Sequence, residues 1–287
     1  MSDPNIFDLG LHADLKMWQK SPVTRRRFLT MGAATLALYL TGCQDDTTSP
    51  PIPPTPTNSP TTTSPTTPLA NLPTTTDTCV DTIPPETPGP FPANNAQAIN
   101  ILTAAGIVRQ DIRTSLGTGH TAPGLPCTIE LTLVNTNNNC APLANHALYI
   151  WHCDRDGSYS LYSPAAVAED YLRGVQESDA QGKLSFTTIF PACYPGRWPH
   201  AHFEIYPSLA QATTAQNAIY TSQLALPADV CQAVYATPPY QESASYLSRL
   251  SLETDGVFRD GADLQLATAE GDPNTGYTIR LTIGIPA

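Results

Sequence analysis

Apolar and polar positions alternate with a period of two in several short runs of this chain. Ile129, Leu131 and Leu133 alternate with Thr128, Glu130 and Thr132 over residues 128–133. Leu184, Phe186 and Phe190 punctuate residues 184–190, and Ala201, Phe203 and Ile205 do the same over 200–206. Tyr277, Ile279, Leu281 and Ile283 close the chain in the same pattern. A two-residue period places successive side chains on opposite faces of a strand. Residues 147–151 are almost wholly apolar and rich in β-formers, the signature of a strand buried on both faces. Asp156-Gly157, Gln181-Gly182 and Pro195-Gly196 supply turns between these runs. Short strands punctuated by Gly and Pro predict an all-β fold, a β-sandwich with a few short helices. The helices are expected at residues 210–222 and 227–236, with Pro227 at the start of the second.

The first part of the chain has a different character. Arg25-Arg26-Arg27-Phe28-Leu29 precedes an apolar stretch over residues 31–40. About ten residues fall short of the roughly twenty that a spanning helix needs, so the segment reads as a signal peptide. Its paired arginines followed by Phe-Leu resemble the twin-arginine export signal of bacteria. Leu40-Thr41-Gly42-Cys43 resembles a lipobox, with Cys43 as the lipid carrier. Residues 44–78 are mostly Pro, Thr, Ser and Asp. They are too poor in apolar groups to offset the entropy of ordering, and their prolines favour an extended spacer. The expected organisation is a signal peptide over 1–43, a disordered linker over 44–78 and one catalytic-sized domain over 79–287. The expected location is the periplasmic or cell-surface side of a bacterial membrane, touched only through the lipid on Cys43.

Charge narrows the function. The formal net charge is -11, and removing residues 1–30 takes five basic and three acidic residues away, leaving -13. So acidic a body has no electrostatic case for binding nucleic acid or for a broad patch on anionic lipid. Besides Cys43 there are six cysteines: Cys79, Cys127, Cys140, Cys153, Cys193 and Cys231. None forms a C-x-x-C pair, which disfavours a zinc ribbon. In an exported domain six cysteines allow up to three disulfides, in fifteen connectivities.

The chemistry concentrates in Arg197-Trp198-Pro199-His200-Ala201-His202. Histidines at i and i+2 on a strand point to one face, so both imidazoles can reach one metal ion. Tyr194 lies six residues before His200, and Tyr159 lies upstream in the segment that begins at Trp151. Phenolate is a hard anionic donor, so two tyrosines with two histidines suit a hard, highly charged ion better than zinc or copper(I). Composition alone does not single these two tyrosines out of twelve. His152 reads as a structural histidine held by a local hydrogen bond, and Asp154 with Asp156 as a turn pair. Trp151 and Trp198 read as core or pocket wall.

Taken together, Trp151–Ser160, Tyr171–Gln176 and Thr187–Phe203 resemble the intradiol ring-cleavage dioxygenases, the family of catechol 1,2- and protocatechuate 3,4-dioxygenases. The resemblance is nearest to the small exported branch. Glu86-Thr87-Pro88-Gly89-Pro90-Phe91 is similar to the segment that opens the family's core domain. The long helical dimerisation region of the catechol 1,2-type enzymes is missing, and signal and linker stand where it would be.

The resemblance implies a non-haem iron(III) held by Tyr159, Tyr194, His200 and His202, with Tyr159 the axial ligand that leaves when substrate binds. It implies that Arg197 lies beside the bound ring and stabilises developing negative charge; the plainer alternative for Arg197 is a salt bridge at a strand edge. It implies insertion of both atoms of dioxygen into a catechol-type ring, giving a cis,cis-muconate-type diacid. A carboxylated substrate would call for a further cation, with Arg109, Arg113 and Arg173 as candidates. The competing reading is a non-catalytic extracellular binding module on the same sandwich.

Overall fold

The alternating run around residue 130 folds as the central strand β1, Pro126–Asn135, with Ile129, Leu131 and Leu133 buried. It pairs antiparallel with β5, Lys183–Ile189, and at its far end with β2, Ala141–Pro142. On its other side it runs parallel to β9, Gly276–Ile285, which pairs antiparallel with β8, Thr268–Asp272. A second, antiparallel sheet has the order β4, β3, β6, β7, with β3 over Ala147–Trp151, β4 over Arg173–Glu177, β6 over His200–Tyr206 and β7 over Tyr220–Ala225. The computed structural model describes residues 79–96 and 98–287. The expected signal peptide over 1–43, with its lipobox at Cys43, and the expected linker over 44–78 lie outside the described residues.

The sheets close on a shared core. Ile129, Leu131 and Leu133 of β1, Phe186 of β5 and Ile279 and Ile283 of β9 belong to one apolar cluster with Leu148 and Ile150 of β3 and Ala201, Phe203 and Ile205 of β6. This is the predicted β-sandwich. In β6 the residues facing away from that core, His200, His202, Glu204 and Tyr206, are buried as well. The outer face of the second sheet is roofed by other parts of the chain: Phe91, Tyr159 and Tyr194 form a second cluster with Tyr149 and Trp151. That roof turns an outward strand face into a second buried layer.

One expectation is corrected. Residues 210–222 are not a helix. They form two single 3₁₀ turns, Leu209–Gln211 and Ala215–Asn217, and then enter β7. The pairing of Tyr220–Ala225 with β6 overrides local helix preference. The second helix does form, as α1 over Ala228–Tyr235, with Pro227 one position ahead as its N-cap. It buries Val230, Cys231, Val234 and Tyr235, and Asp229 sits favourably in its first turn. A second helix, α2 over Gln241–Leu247, follows it.

Of the six cysteines, Cys79 and Cys140 form a disulfide, whereas Cys127, Cys153, Cys193 and Cys231 are buried free thiols. The bridge ties the start of the domain to the β1–β2 turn across 61 residues. Closing a loop of that length stabilises a fold by about 4 kcal/mol in the chain-entropy account.

Glu86, on the segment that leads to Phe91, accepts a hydrogen bond from Gln265 at 3.3 Å. Burial pushes its carboxyl up to about 7, against the lowering effect of the Gln265 contact. A raised folded-state value means that the stabilising contribution is complete below about pH 4.5 and is lost as pH rises through about 7. Discounted for partial exposure, the loss is on the order of 1–2 kcal/mol. Glu86→Gln is therefore expected to raise the melting temperature at pH 8–9 and to leave it nearly unchanged at pH 4. A thermal-denaturation series across pH checks this.

Candidate active site

Each element brings one part of the site. His200 and His202 project from the outer face of β6, as the i, i+2 spacing requires. Tyr194 comes from the loop between β5 and β6. Tyr159 comes from the long connection between β3 and β4, two residues after Gly157. That glycine has φ +81°, and a Cβ there would stand 3.3 Å from the Tyr194 Cβ, so a side chain at this position would be strained and would crowd Tyr194. Asp154 secures the same turn by accepting from the backbone N–H groups of Asp156 and Ser158. The Asp-x-Asp-Gly segment is thus turn chemistry, as expected.

The four candidate ligands converge. Tyr159 Oη lies 3.3 Å from Tyr194 Oη, 3.4 Å from His200 Nε2 and 3.3 Å from His202 Nε2. Tyr194 Oη lies 3.3 Å from His200 Nε2, and the two imidazole Nε2 atoms are 3.0 Å apart. Donors that share one ion at the usual ~2.0–2.1 Å stand about 3.3 Å apart in a tetrahedral arrangement. The observed spacing therefore fits a single metal ion. Among the described residues no group of three or more His, Cys, Asp or Glu gathers; the convergent set is mixed phenol and imidazole.

The imidazoles are prepared as ligands. His200 Nδ1 lies 2.5 Å from the Trp198 carbonyl oxygen. A carbonyl only accepts, so the proton sits on Nδ1 and Nε2 keeps its lone pair for the centre. The His202 ring stacks on Trp151, 5.0 Å between centroids and 3° from parallel. Its Nδ1 has no hydrogen-bond partner among the described residues, so stacking sets its orientation. Burial, then the Arg197 charge, pulls His200 down to about 3. Burial and its neighbour His200 pull His202 down as well. Both rings are neutral at any working pH, the form that ligates.

Arg197 is fully buried rather than at a strand edge. Its Nε donates to Asp255 Oδ2 at 3.0 Å, its Nη2 donates to Gln223 Oε1 at 2.6 Å, and its guanidinium lies 6.0 Å over the Phe258 ring. Phe258 in turn meets the His200 ring edge-on. Asp255, Gln223 and Phe258 are parts of the site that sequence reasoning missed. They lie 58, 26 and 61 residues beyond Arg197 with no local motif to mark them.

The other candidates sort clearly. His152 bonds the Cys153 carbonyl and the Thr188 hydroxyl, each at 2.7 Å, and is structural as expected. Arg109 is spent on the carbonyls of Thr114, Asp170 and Arg173, and Arg113 pairs with Asp111 at the surface. Arg173 is buried against Ser160, the Phe91 carbonyl and the Tyr149 hydroxyl. It fastens the segment that carries Tyr159. None of these three arginines is placed to receive a substrate carboxylate.

Residues 102–206 match a family model described as Dioxygenase (Dioxygenase_C), an interval that contains Tyr159, Tyr194, Arg197, His200 and His202. Comparison with curated proteins found no match. Among solved structures, an intradiol ring-cleavage dioxygenase from Tetranychus urticae is 25% identical with a TM-score of 0.52, covering 63% of this chain and 87% of that one. A second dioxygenase crystal structure is similar at 25% identity and a TM-score of 0.51, with the same coverage. The dioxygenase domain of a carbohydrate-binding fusion protein from the cellulolytic bacterium Streptomyces sp. SirexAA-E is 20% identical with a TM-score of 0.43, covering 71% of this chain and 98% of that one. Fold, site and family model agree: residues 102–206 match the Dioxygenase family model, and the fold is similar to that of a solved intradiol ring-cleavage dioxygenase.

Proposed function

We propose that this protein is a non-haem iron(III)-dependent dioxygenase that opens catechol-type rings between their two hydroxyls, inserting both atoms of dioxygen to give a cis,cis-muconate-type diacid. The observation that carries the proposal is the convergence of two phenols and two neutral imidazoles, with five donor–donor distances of 3.0–3.4 Å, in a buried cluster. Iron(III) bound there would supply a Lewis acid and an electron sink that lets dioxygen react with an aromatic ring. Two phenolates offset two of its three charges, and a trivalent ion favours the ionised tyrosines.

The chain's own residues do the rest. Tyr159 Oη is the group that accepts a proton from an incoming catechol, so the substrate binds as an anion without adding net charge to a dry site. Tyr194, His200 and His202 stay in place, because Tyr194 belongs to the tight Pro195-Gly196 turn and the histidines to a paired strand. Arg197 stabilises negative charge on the ring side. Trp151 and Phe258, packed against His202 and His200, keep water from the imidazole faces.

The visible spectrum of the purified protein tests this reading. A tyrosinate–iron(III) charge-transfer band that shifts when catechol is added without oxygen is the expected result. A colourless protein that retains no iron after reconstitution would sink the dioxygenase and favour a binding module.

The export signal and the Cys43 lipobox extend the proposal to an enzyme tethered outside the cytoplasm, with residues 44–78 as the spacer. Membrane fractions are expected to hold the wild type, and Cys43→Ala to move it into the soluble fraction. A variant that stays membrane-bound would overturn the anchor.

A further inference from the structure

We propose that Asp255 is a positioning residue for Arg197, holding its guanidinium in one orientation beside the site and cancelling its charge. This rests on the dioxygenase reading above and adds to it a residue from a distant loop.

The geometry is that of a saturated carboxylate. Oδ2 accepts from Arg197 Nε at 3.0 Å and from the Trp198 backbone N–H at 2.6 Å. Oδ1 accepts from the Val257 and Phe258 backbone N–H groups at 2.7 and 3.1 Å. A carboxylate offers about four acceptor positions, and here four N–H donors fill them. Three of those donors are backbone groups, so the position of the carboxylate is dictated by main chain on two segments, 197–198 and 255–258. Arg197 is then located from two directions, by Asp255 at Nε and by Gln223 at Nη2. The turn that Asp255 ties also seats Phe258 between Arg197 and His200.

The arrangement also settles the charge. Arg197 and Asp255 are both fully buried. An uncompensated guanidinium there would repel the cation that the tyrosines and histidines are suited to hold. Burial alone would raise the Asp255 carboxyl, but Arg197 and the surrounding N–H groups hold it below its usual range. It is therefore the charged partner at working pH.

Asparagine is nearly the same size but has one acceptor oxygen, so Asp255→Asn turns an amide N–H₂ toward two N–H donors and leaves Arg197 without a counter-charge. The test compares the iron-loaded full chain as wild type, Asp255→Asn, Arg197→Lys and the double variant. In Asp255→Asn we expect iron content and the position of the charge-transfer band to be kept, kcat to fall by about 10–100-fold and KM for catechol to move far less. The double variant is expected to be no slower than Arg197→Lys alone, because both changes disable one group. A merely structural Asp255 would instead multiply its effect with that of Arg197→Lys.

Should Asp255→Asn fail to fold, side-chain NMR on the wild type decides. The Arg197 Nε–H, assigned by its loss in Arg197→Lys, is expected to exchange with solvent far more slowly than the exposed arginines. An Asp255→Asn variant within twofold of wild type, multiplicative losses, or a fast-exchanging Arg197 Nε–H each overturns the proposal. A wild type without the iron band and without ring cleavage fails the dioxygenase reading itself and takes this inference with it, a result distinct from a coloured, active enzyme indifferent to Asp255→Asn.

Discussion

Replacing His200 with alanine is expected to abolish both iron retention and ring cleavage. His200 Nε2 is within 3.4 Å of Tyr159 Oη, Tyr194 Oη and His202 Nε2, so it touches every other donor of the set. Its ring is also the best oriented, with Nδ1 bonded to the Trp198 carbonyl. Loss of an outer partner of a ligating histidine commonly costs about 10–100-fold in metal affinity, and loss of the ligand itself should exceed that. The predicted result is activity at background, no tyrosinate–iron band, and iron far below one per chain by elemental analysis. Melting temperatures are best compared between metal-free proteins, because bound metal stabilises by mass action. His152→Ala is the matched control. It removes a buried imidazole of similar environment that, among the described residues, bonds Cys153 and Thr188, so iron should stay. Iron retained at wild-type stoichiometry in His200→Ala would remove this histidine from the ligand set.

The second large effect belongs to Arg197. Arg197→Lys keeps a cation near Asp255 but loses the planar fork that reaches Asp255 and Gln223 together. Preorganised donors aimed at developing charge are typically worth about 3–4 kcal/mol, or roughly 10²–10³ in kcat. Arg197→Lys is therefore expected to lose about 10²-fold in kcat with iron and its band retained. Arg197→Ala adds a stability penalty of about 3–5 kcal/mol, because it leaves the Asp255 carboxylate buried without its partner. The two variants separate catalysis from folding: lysine should be slow at near-normal melting temperature, whereas alanine should be slow and labile. A lysine variant with kcat within threefold of wild type would return Arg197 to a purely structural role.

Much of this site could be read from the chain because it is local. His200 and His202 are two apart on a strand whose alternation is visible, and strand geometry alone sends them to one face. Tyr194 and Arg197 lie within six residues of them, in a loop marked by Pro195-Gly196. Tyr159 is different. It lies 41 residues before His200, and only the resemblance of its segment to a known family picked it out. The same resemblance could not find Asp255, Gln223 or Phe258, which reach Arg197 from a loop and a strand later in the chain.

The sequence by itself determined the sandwich and the paired histidines, because period-two burial and i, i+2 projection are properties of the strand alone. It also determined the turn role of Asp154 and the helix after Pro227, both set within a few residues. Tertiary structure decided what depends on distant partners. Residues 220–225 became a strand because β6 was there to pair with. One disulfide formed because Cys79 meets Cys140, while Cys127, Cys153, Cys193 and Cys231 were buried as thiols. The outer face of β6 became buried because Phe91, Tyr159 and Tyr194 cover it. Arg197 gained its counter-charge in the same way, since an ion pair across 58 residues leaves no period and no spacing along the chain.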